Sequence, residues 1–258
     1  MNLHFLASGS KANCTVVEAA GDLIVVDAGL RPKDFLSALS ATFPNVKDHM
    51  VSAIRAIVVS HHHSDHAGFA GELSGALHVP VYATSECLEA GADRLMRKAD
   101  GDPVVFVPGE KFVVGAFRIL PVETYHVRGA VGFRIETFEG FAAIFTDLPE
   151  ITKEIGKAME GCPVVCVEAD YSQGMLAASS YVDDLKDRIR MTHMSNENLS
   201  AFFGNGFNYK SLRQLALIHL SRDSNLPFIA EAKLRTVVPA SVEVTALHDG
   251  NLPLSIQV

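Results

Sequence analysis

The sequence predicts an α/β fold in which two β-sheets stack face to face and helices cover their outer surfaces. Short apolar runs typical of strands occur in both halves of the chain, and segments with helical spacing follow them in each half. No repeat, low-complexity tract or linker separates the halves. A chain of 258 residues suits one large domain or two small ones, and we expect one domain over residues 1–258.

The first half contains alternating strand and helix patterns. Short runs typical of strands, alternating with turns, predict strands at "LHFLAS", "CTVVEAA" and "DLIVVDAG". Pro32 suits a first helical turn, which predicts a helix over "RPKDFLSALSATF". The run "AIRAIVVS" predicts a strand buried on both faces. A helix at "GFAGELSGAL", a strand at "VPVYAT" and a helix capped by Ser85 at "SECLEAGADRLMRKA" complete this half.

The second half begins with strands and then alternates strands with helices. The predicted strands are "KFVVGAFRILPVETYH", "VGFRIETFEG", "FAAIFTD", "PVVCVEA" and "LRQLALIHLS". The predicted helices are "SYVDDLKDRIR", "NENLSAFFGN" and "NLPFIAEAKLR". This order supplies each sheet with its own helices.

Composition limits the location and the partners. The N-terminus has no basic segment followed by a long apolar one, which predicts no signal peptide, and no apolar run approaches the ~20 residues of a membrane span. We expect a cytoplasmic protein with buried, reduced cysteines and no membrane partner. The net charge of -8 argues against a protein that coats duplex DNA, so a nucleic-acid substrate would be held locally. The sequence indicates no protein partner and does not define an oligomeric state.

The stretch "IVVSHHHSDHAG" places four histidines and an aspartate directly after a predicted strand. In extended chain His61 and His63 point to one side and His62 points away, and Asp65 and His66 then open a helix. Imidazole and carboxylate groups are the ligands that zinc prefers, so the spacing offers two separate groups of metal ligands. The alternative is a solvated histidine-rich loop that binds metal adventitiously.

Seven segments carry a resemblance to a known family. They are "FLASGSKANCTVVE", "LIVVDAGL", "SHHHSDHAG", "HVRGAVGFRI", "FTDL", "DLKDRIRMTHMSNENL" and "LALIHLSRDSN". In this order they resemble the metallo-β-lactamase superfamily, and within it the YycJ/WalJ-like branch. The HxHxDH spacing is highly specific for the superfamily, whereas "HMSN" and "HLSxxxN" are moderately specific for the branch. The resemblance implies an αββα four-layer sandwich of two mixed sheets, with a metal site at one edge of the sheets.

The resemblance also implies the metal ligands. His61, His63 and His126 would hold one ion, Asp65, His66 and His219 a second ion, and Asp147 would touch both. The sequence pattern is consistent with these ligands, because His126, Asp147 and His219 each end an apolar, strand-like run. Taken singly, His126 could be a polar strand end and Asp147 a helix N-cap before "PEITKEIGKAM".

Two further residues and one ligand receive roles from the resemblance. Asp27 would orient groups beside the metal, and it could instead be a turn residue before Gly29. His193 would meet the leaving phosphate, as a histidine does in the related tRNase Z proteins, and it could instead belong to a capping loop. Asp65 and His193 are the expected catalytic residues. Four other histidines are expected to be structural: His4, His49, His78 and His248.

The predicted activity is hydrolysis by a hydroxide that bridges two divalent ions, zinc in the first instance, with manganese and iron as alternatives. Basic residues near His193 and His219 favour a phosphate-bearing substrate, unless they only form a solvated face; they are Lys186, Arg188, Arg190 and Arg222. We therefore expect a phosphodiesterase or nuclease acting on phosphate esters or single-stranded nucleic acid. Four departures from the branch leave the substrate open: Ala12, Asp170, Ser172 and Thr192.

Other activities of the same fold remain as alternatives. They are a thioester or lactone hydrolase, a non-catalytic metal-binding regulator and a mononuclear-iron oxygenase. His63 stands where oxygen-reducing diiron relatives carry Glu, and Asp147 argues against a zinc β-lactamase. The segment between Asp147 and His219 is too short for the inserted domain of the large RNA-processing relatives.

Overall fold

The computed structural model describes residues 1–43 and 51–258. Within them, strands of the first half and the last strand of the chain form a seven-stranded sheet. Its strands are β1 (Asn2–Ala7), β2 (Cys14–Ala19), β3 (Asp22–Val26), β4 (Ile54–Val58), β5 (Val81–Ala83), β6 (Val104–Val105) and β14 (Leu254–Gln257). In the order β14-β1-β2-β3-β4-β5-β6, the pairings are antiparallel as far as β3 and parallel from β3 to β6.

The second half of the described chain forms another seven-stranded sheet. Its strands are β7 (Phe112–Val114), β8 (Phe117–Glu123), β9 (Val131–Thr137), β10 (Gly140–Phe145), β11 (Val164–Glu168), β12 (Gln214–Ile218) and β13 (Glu243–Ala246). In the order β7-β8-β9-β10-β11-β12-β13, the pairings are antiparallel as far as β10 and parallel beyond it. Loops that follow parallel strands emerge at the same edge of a sheet, which is where open α/β sheets place their sites.

Helices pack on the outer face of each sheet. The helices of the described residues are α1 (Pro32–Thr42), α2 (Ser64–Ala67), α3 (Ala70–Leu77), α4 (Ser85–Leu95), α5 (Lys153–Met159), α6 (Gln173–Ala178), α7 (Asp183–Thr192), α8 (Asn196–Gly204) and α9 (Pro227–Arg235). Phe35 and Leu73 pack with the first sheet, and Leu199 and Leu234 pack with the second. A third cluster, which includes Phe133, lies between the sheets. These layers confirm the predicted αββα sandwich of two mixed sheets.

Several local predictions need correction. Thr84, not Ser85, caps α4, because its hydroxyl accepts the backbone N–H of Cys87. Strand β4 is not buried throughout, since Arg55 is exposed and donates to Asp22 at 2.6 Å. The sequence also missed β6, β13, β14 and α6, which are short and carry little periodicity.

Three further expectations concern a membrane helix, His49 and the cysteines. In residues 1–43 and 51–258, no helix combines the length and apolarity that a membrane crossing requires. The expectation for His49 lies outside the described residues. The four cysteines are free and buried, as predicted, at Cys14, Cys87, Cys162 and Cys166.

Candidate metal centre

The candidate site lies in loops that follow the carboxyl ends of strands in both sheets. Asp27 follows β3, Asp147 follows β10 and His219 follows β12. Their φ angles of 61°, 52° and 56° place all three in the left-handed region. Asp and His enter this region more readily than most residues, although each instance costs about 1–3 kcal/mol. The fold therefore maintains three strained turns at the edge where the sheets meet.

One group of side chains consists of His61, His63 and His126. Nδ1 of His63 lies 3.0 Å from Nε2 of His61 and 3.2 Å from Nε2 of His126. Ligands placed tetrahedrally at about 2.0–2.1 Å from a zinc ion are roughly 3.3 Å apart. The three nitrogens therefore have the spacing of ligands around one ion.

A second group consists of Asp65, His66 and His219. Oδ2 of Asp65 lies 3.2 Å from Nε2 of His66 and 3.4 Å from Nε2 of His219. These distances match the same ligand spacing of about 3.3 Å. Mixed imidazole and carboxylate donors suit zinc, manganese and iron alike.

Asp147 is buried between the two groups, and each of its oxygens faces a different one. Oδ1 lies 3.6 Å from Nε2 of His126 and 4.0 Å from Nε2 of His61. Oδ2 lies 3.0 Å from Nε2 of His66 and 3.7 Å from Nε2 of His219. A carboxylate in this position can contact two ions at once.

The alternative in which Asp147 caps a helix does not fit the structure. Helix α5 begins at Lys153, and its N-cap is Thr152, whose hydroxyl accepts the N–H of Ile155. The hydroxyl of Thr146 donates to Oδ2 of Asp147 at 2.6 Å. Asp147 is therefore held by its neighbour toward the site and not toward the helix.

Asp27 orients His66 from behind. Its Oδ2 accepts a hydrogen bond from Nδ1 of His66 at 2.7 Å, and its Oδ1 accepts the backbone N–H of Ser60 at 2.7 Å. The Ser60 hydroxyl donates to Asp27 at 2.9 Å and lies 3.0 Å from Nδ1 of His61. These contacts leave Nε2 of both imidazoles directed into the site, as supporting carboxylates do at metal centres.

Glu168 plays a comparable part for His219 and was missed by the sequence analysis. Its Oε1 accepts Nδ1–H of His219 at 2.9 Å and Nδ1–H of His193 at 2.8 Å. Its Oε2 accepts the backbone N–H groups of Leu148 at 3.1 Å and Met194 at 2.9 Å. Through these hydrogen bonds Glu168 supports two histidines, and it also belongs to a cluster with Asp147, His193 and His219 that could hold an ion.

His193 lies beside both groups, with 18% of its side chain exposed. Burial alone would lower the pKa of His193, but the charge of Glu168 and the hydrogen bond to it raise this pKa to about 9. Burial likewise opposes ionisation of Glu168, yet His193 and His219 lower the pKa of Glu168 to about 2. With Nδ1 bound to Glu168, Nε2 is the ring nitrogen of His193 that can act on a substrate.

The two ligand groups differ in their electrostatics. Burial lowers the pKa of His63 to about 4 and moves that of His61 well below its usual value, so both are neutral imidazoles at pH 7. Burial opposes protonation of His66 and His219 too, but nearby carboxylates, Asp147 above all, raise their pKa values. The carboxylates of the second group therefore favour positive charge beside them.

Asn13 and Arg94 are further residues of the site that the sequence analysis did not assign. Nδ2 of Asn13 lies 2.9 Å from Nε2 of His66 and 3.4 Å from Oδ2 of Asp65. The guanidinium of Arg94 donates to the carbonyl oxygen of His62 at 3.2 Å. Asn13 lies within "FLASGSKANCTVVE", one of the segments that resemble the family. Arg94 lies within a helix pattern that gave no indication of its role.

A cavity of about 510 Å³ opens over these groups. Its walls include Arg94 from α4 and Arg188 from α7, so one cation comes from each half of the chain. The other basic residues that the sequence singled out have partners elsewhere. Lys186 donates to Ala177, Arg190 pairs with Asp187 and Arg222 pairs with Asp249.

The remaining histidines stand outside the ligand groups found in the described chain. His62 lines the cavity wall, with its ring packed edgewise on His63 at 5.0 Å between centroids. His4 contacts Ser255 and Glu18, and His78 pairs with Asp100. His248 contacts the backbone N–H of Gly250 within a turn.

The four departures from the branch lie at or near the cavity. Thr192 and Asp170 line it, and the carbonyl of Thr192 accepts Nδ1–H of His126. The side chain of Asp170 is only 7% exposed and lies 4.0 Å from Nδ1 of His219. Burial and the charge of Glu168 raise the pKa of Asp170 to about 7. Ser172 is buried next to the cavity, and Ala12 belongs to the loop that carries Asn13.

Asp170 should make stability depend on pH. The folded state binds its proton up to a pKa of about 7, whereas the ordinary value is 3.8. The free energy of unfolding should therefore fall as pH rises between these two values and stay lowered above them. In metal-free protein, the melting temperature of Asp170→Asn should exceed that of the wild type by a margin that grows over this pH interval. Circular dichroism melts measure it, and a margin independent of pH would contradict the assignment.

Comparison with known proteins places this geometry in a family. The model of the metallo-β-lactamase superfamily matches residues 8–148, and the chain belongs to this superfamily, whose members depend on metal ions. It is 25% identical to exodeoxyribonuclease YycJ of Bacillus anthracis over 100% of this chain and 99% of the relative. It is 26% identical to exodeoxyribonuclease WalJ of Streptococcus pneumoniae over 87% of this chain and 83% of the relative.

Solved structures share the fold at lower identity. The metallo-β-lactamase fold protein YhfI from Bacillus subtilis superposes with a TM-score of 0.73 at 16% identity, covering 99% of each chain. Zn²⁺-bound PqqB from Methylobacterium extorquens gives a TM-score of 0.73 at 16% identity, covering 100% of each chain. These likenesses describe the fold alone.

Proposed function

We propose that the protein is a binuclear metal-dependent phosphodiesterase that acts on nucleic acid. The observation that carries the proposal is the position of Asp147, whose two oxygens face separate groups of ligands. Single-ion chemistry would not require a buried carboxylate between two such groups. His61, His63 and His126 would hold one ion, Asp65, His66 and His219 the other, and Asp147 both.

The charge of the site supports bound cations. Five carboxyl groups lie buried or half-buried around the centre: Asp27, Asp65, Asp147, Glu168 and Asp170. Buried carboxylates are costly unless cations compensate them. Two divalent ions would supply that compensation, and zinc fits a donor set rich in histidine.

The residues around the ions would then divide the work. When bound, the two ions would supply an attacking hydroxide near neutral pH and offset the charge that develops on phosphorus. Asp27 and Glu168 would keep the imidazoles of His66 and His219 in their orientation. His193, charged through its contact with Glu168, would donate the proton on Nε2 to the departing oxygen. Asp65 would act as the ligand beside the reacting group.

The substrate follows from the cations in the cavity wall and from the relatives. Arg94 and Arg188 place positive charge in the wall of the cavity, which suits a phosphate group and the adjoining chain. The curated relatives are named as exodeoxyribonucleases, so single-stranded DNA is the first substrate to test.

A panel of substrates tests this proposal against its alternatives. The panel contains bis-p-nitrophenyl phosphate, a 5′-labelled single strand, a thioester, a lactone and a cephalosporin, each with zinc or manganese. We expect cleavage of the two phosphodiesters and little turnover of the others. Preferred turnover of the thioester or lactone would instead identify a small-molecule hydrolase, and no turnover would favour a metal-binding regulator.

Adjacent histidines provide a matched pair of variants for the metal site. His61→Ala removes a ligand of the first group and should lower the bound metal toward one ion per chain. His62→Ala changes the neighbouring residue, which stands outside the ligand groups, and should leave the metal content nearly unchanged. Metal analysis after gel filtration measures both. Equal losses in the two variants would contradict the ligand assignment.

Binding to long duplex DNA should be weak. The net charge is -8, so the grip on nucleic acid is confined to local groups such as Arg94 and Arg188. Two phosphate contacts predict a slope of log K against log salt of about −1 to −2, far from the roughly −10 of a protein with an extensive phosphate interface. Fluorescence anisotropy with matched single strands and duplexes measures the slope. Tight, length-dependent duplex binding at physiological salt would contradict this prediction.

A further inference from the structure

Two buried asparagines form a reciprocal amide pair behind the candidate site. Nδ2 of Asn196 donates to Oδ1 of Asn225 at 2.9 Å, and Nδ2 of Asn225 donates to Oδ1 of Asn196 at 3.0 Å. Both residues are almost fully buried, with 0% and 2% of their surface exposed. Buried amides cost free energy unless their polar atoms are satisfied, so the pair specifies one arrangement of the two loops that carry it.

The pair connects three loops. Nδ2 of Asn225 also donates to the carbonyl oxygen of Ala169 at 2.7 Å, and the backbone N–H of Asn196 donates to Tyr171 at 2.8 Å. Asn196 lies at the start of α8, Asn225 in the loop between β12 and α9, and Ala169 directly after β11. The amides thus tie together the loops after β11, before α8 and after β12.

In or directly beside each of these loops lies one member of a contact at the candidate site. His193 precedes α8, His219 follows β12 and Glu168 ends β11. Nδ1 of each histidine donates to Oε1 of Glu168, at 2.8 Å and 2.9 Å. The two rings lie nearly parallel, at 10°, with their centroids 5.6 Å apart. A relative shift of any one loop would separate these groups.

We propose that Asn196 and Asn225 are positioning residues that hold His193 against Glu168 and beside His219. The catalytic part of this inference rests on the proposed function, in which His193 donates a proton. The pair touches neither the ligands nor the cavity; its effect on the reaction passes through the loops. Asn196 is the last residue of the "HMSN" motif and Asn225 is the last residue of the "HLSxxxN" motif, so the final asparagine of each motif receives a role.

The hydrogen bonds of the pair predict an order of effects. Asn225→Asp removes the donor to both Asn196 and Ala169 and places a carboxylate against two oxygens. Asn196→Asp removes only the donor to Asn225 and keeps the acceptor of the second bond. Asn225→Asp should therefore disturb His193 more than Asn196→Asp does.

The test observes His193 directly in metal-free protein. Proteins labelled with ¹⁵N-histidine should show an Nδ1–H resonance of the bond between His193 and Glu168, identified by its absence in His193→Ala. We expect this resonance to be lost in Asn196→Ala and in Asn225→Asp. In Asn196→Asp it should be weakened but still present. Asn251→Ala is the matched control, because Asn251 makes two hydrogen bonds to backbone atoms in a C-terminal turn. The resonance should persist in that variant.

Kinetics of the metal-loaded variants complete the test. Metal content should be unchanged, and kcat on an oligonucleotide should fall roughly 10- to 10²-fold more than kcat on bis-p-nitrophenyl phosphate. An intact resonance in Asn225→Asp, or the reverse order of the two Asp variants, overturns the proposal. A lost resonance supports it even when His193→Ala shows no dependence on the leaving group, an outcome that would overturn only the proton donation in the proposed function. If Asn196→Ala does not fold, the two Asp variants decide.

Discussion

Asp147→Ala should release or weaken both metal ions and remove nearly all activity. Oδ1 of Asp147 faces His61 and His126, and Oδ2 faces His66 and His219, so one substitution deletes a ligand from both groups. Metal ions supply several kcal/mol of stabilisation to the transition state, and a loss of about 4 kcal/mol corresponds to roughly 10³-fold in kcat/KM. Metal analysis and the oligonucleotide assay measure the two effects.

Asp147→Asn is the matched variant. Because the Thr146 hydroxyl donates to the position of Oδ2, the amide oxygen should occupy that position and face His66. The amide nitrogen would then point toward His61 and His126, where an N–H cannot bind a cation. We expect selective loss of the ion held by His61, His63 and His126. Two tightly bound ions with full activity in Asp147→Ala would show that the bridging role is wrong.

His193→Ala should leave both ions in place and slow turnover of nucleic acid by roughly 10²–10⁴-fold, the usual size of a general-acid contribution. Its Nδ1 is bound to Glu168, and its charged ring lines the cavity. The loss should be largest for nucleotides, whose leaving oxygen needs a proton. It should be small for p-nitrophenyl esters, whose leaving group departs without one. Parallel assays of the two substrates measure the difference.

Two results would change this assignment. An equal loss on both substrates would mean that His193 positions the substrate and does not protonate it. Loss of an ion would make His193 a ligand, although its Nδ1, which lies 3.7 Å from Oδ1 of Asp147, already donates to Glu168. Glu168→Gln serves as a comparison, because it removes the charge that keeps His193 protonated. We expect the same dependence on the leaving group in that variant.

The HxHxDH stretch could be interpreted from the sequence because its geometry is local. Alternation along a strand end places His61 and His63 together, and a helix start presents Asp65 and His66. The structure brings these four residues together in the predicted groups. The positions of His126, Asp147 and His219 depended on the family resemblance, since apolar runs that end in a polar residue are common in any sheet.

Glu168 and the asparagine pair could not be found in this way. The histidine partners of Glu168 lie 25 and 51 residues away in the sequence. Asn196 and Asn225 lie 29 residues apart. Such contacts depend on the parallel order of β11 and β12, which no local pattern encodes. Glu168 did share one feature with Asp27: both acids stand at the carboxyl end of a buried run. That feature is the one sequence observation that could have identified it.

The central claim is that two ions act together on a phosphodiester. Titration of the metal-free protein with zinc or manganese, while cleavage of a 5′-labelled single strand is followed, tests it most directly. Activity should be low with one equivalent and reach its plateau at two equivalents per chain. A plateau at one equivalent, or no cleavage with both sites filled, would contradict the claim.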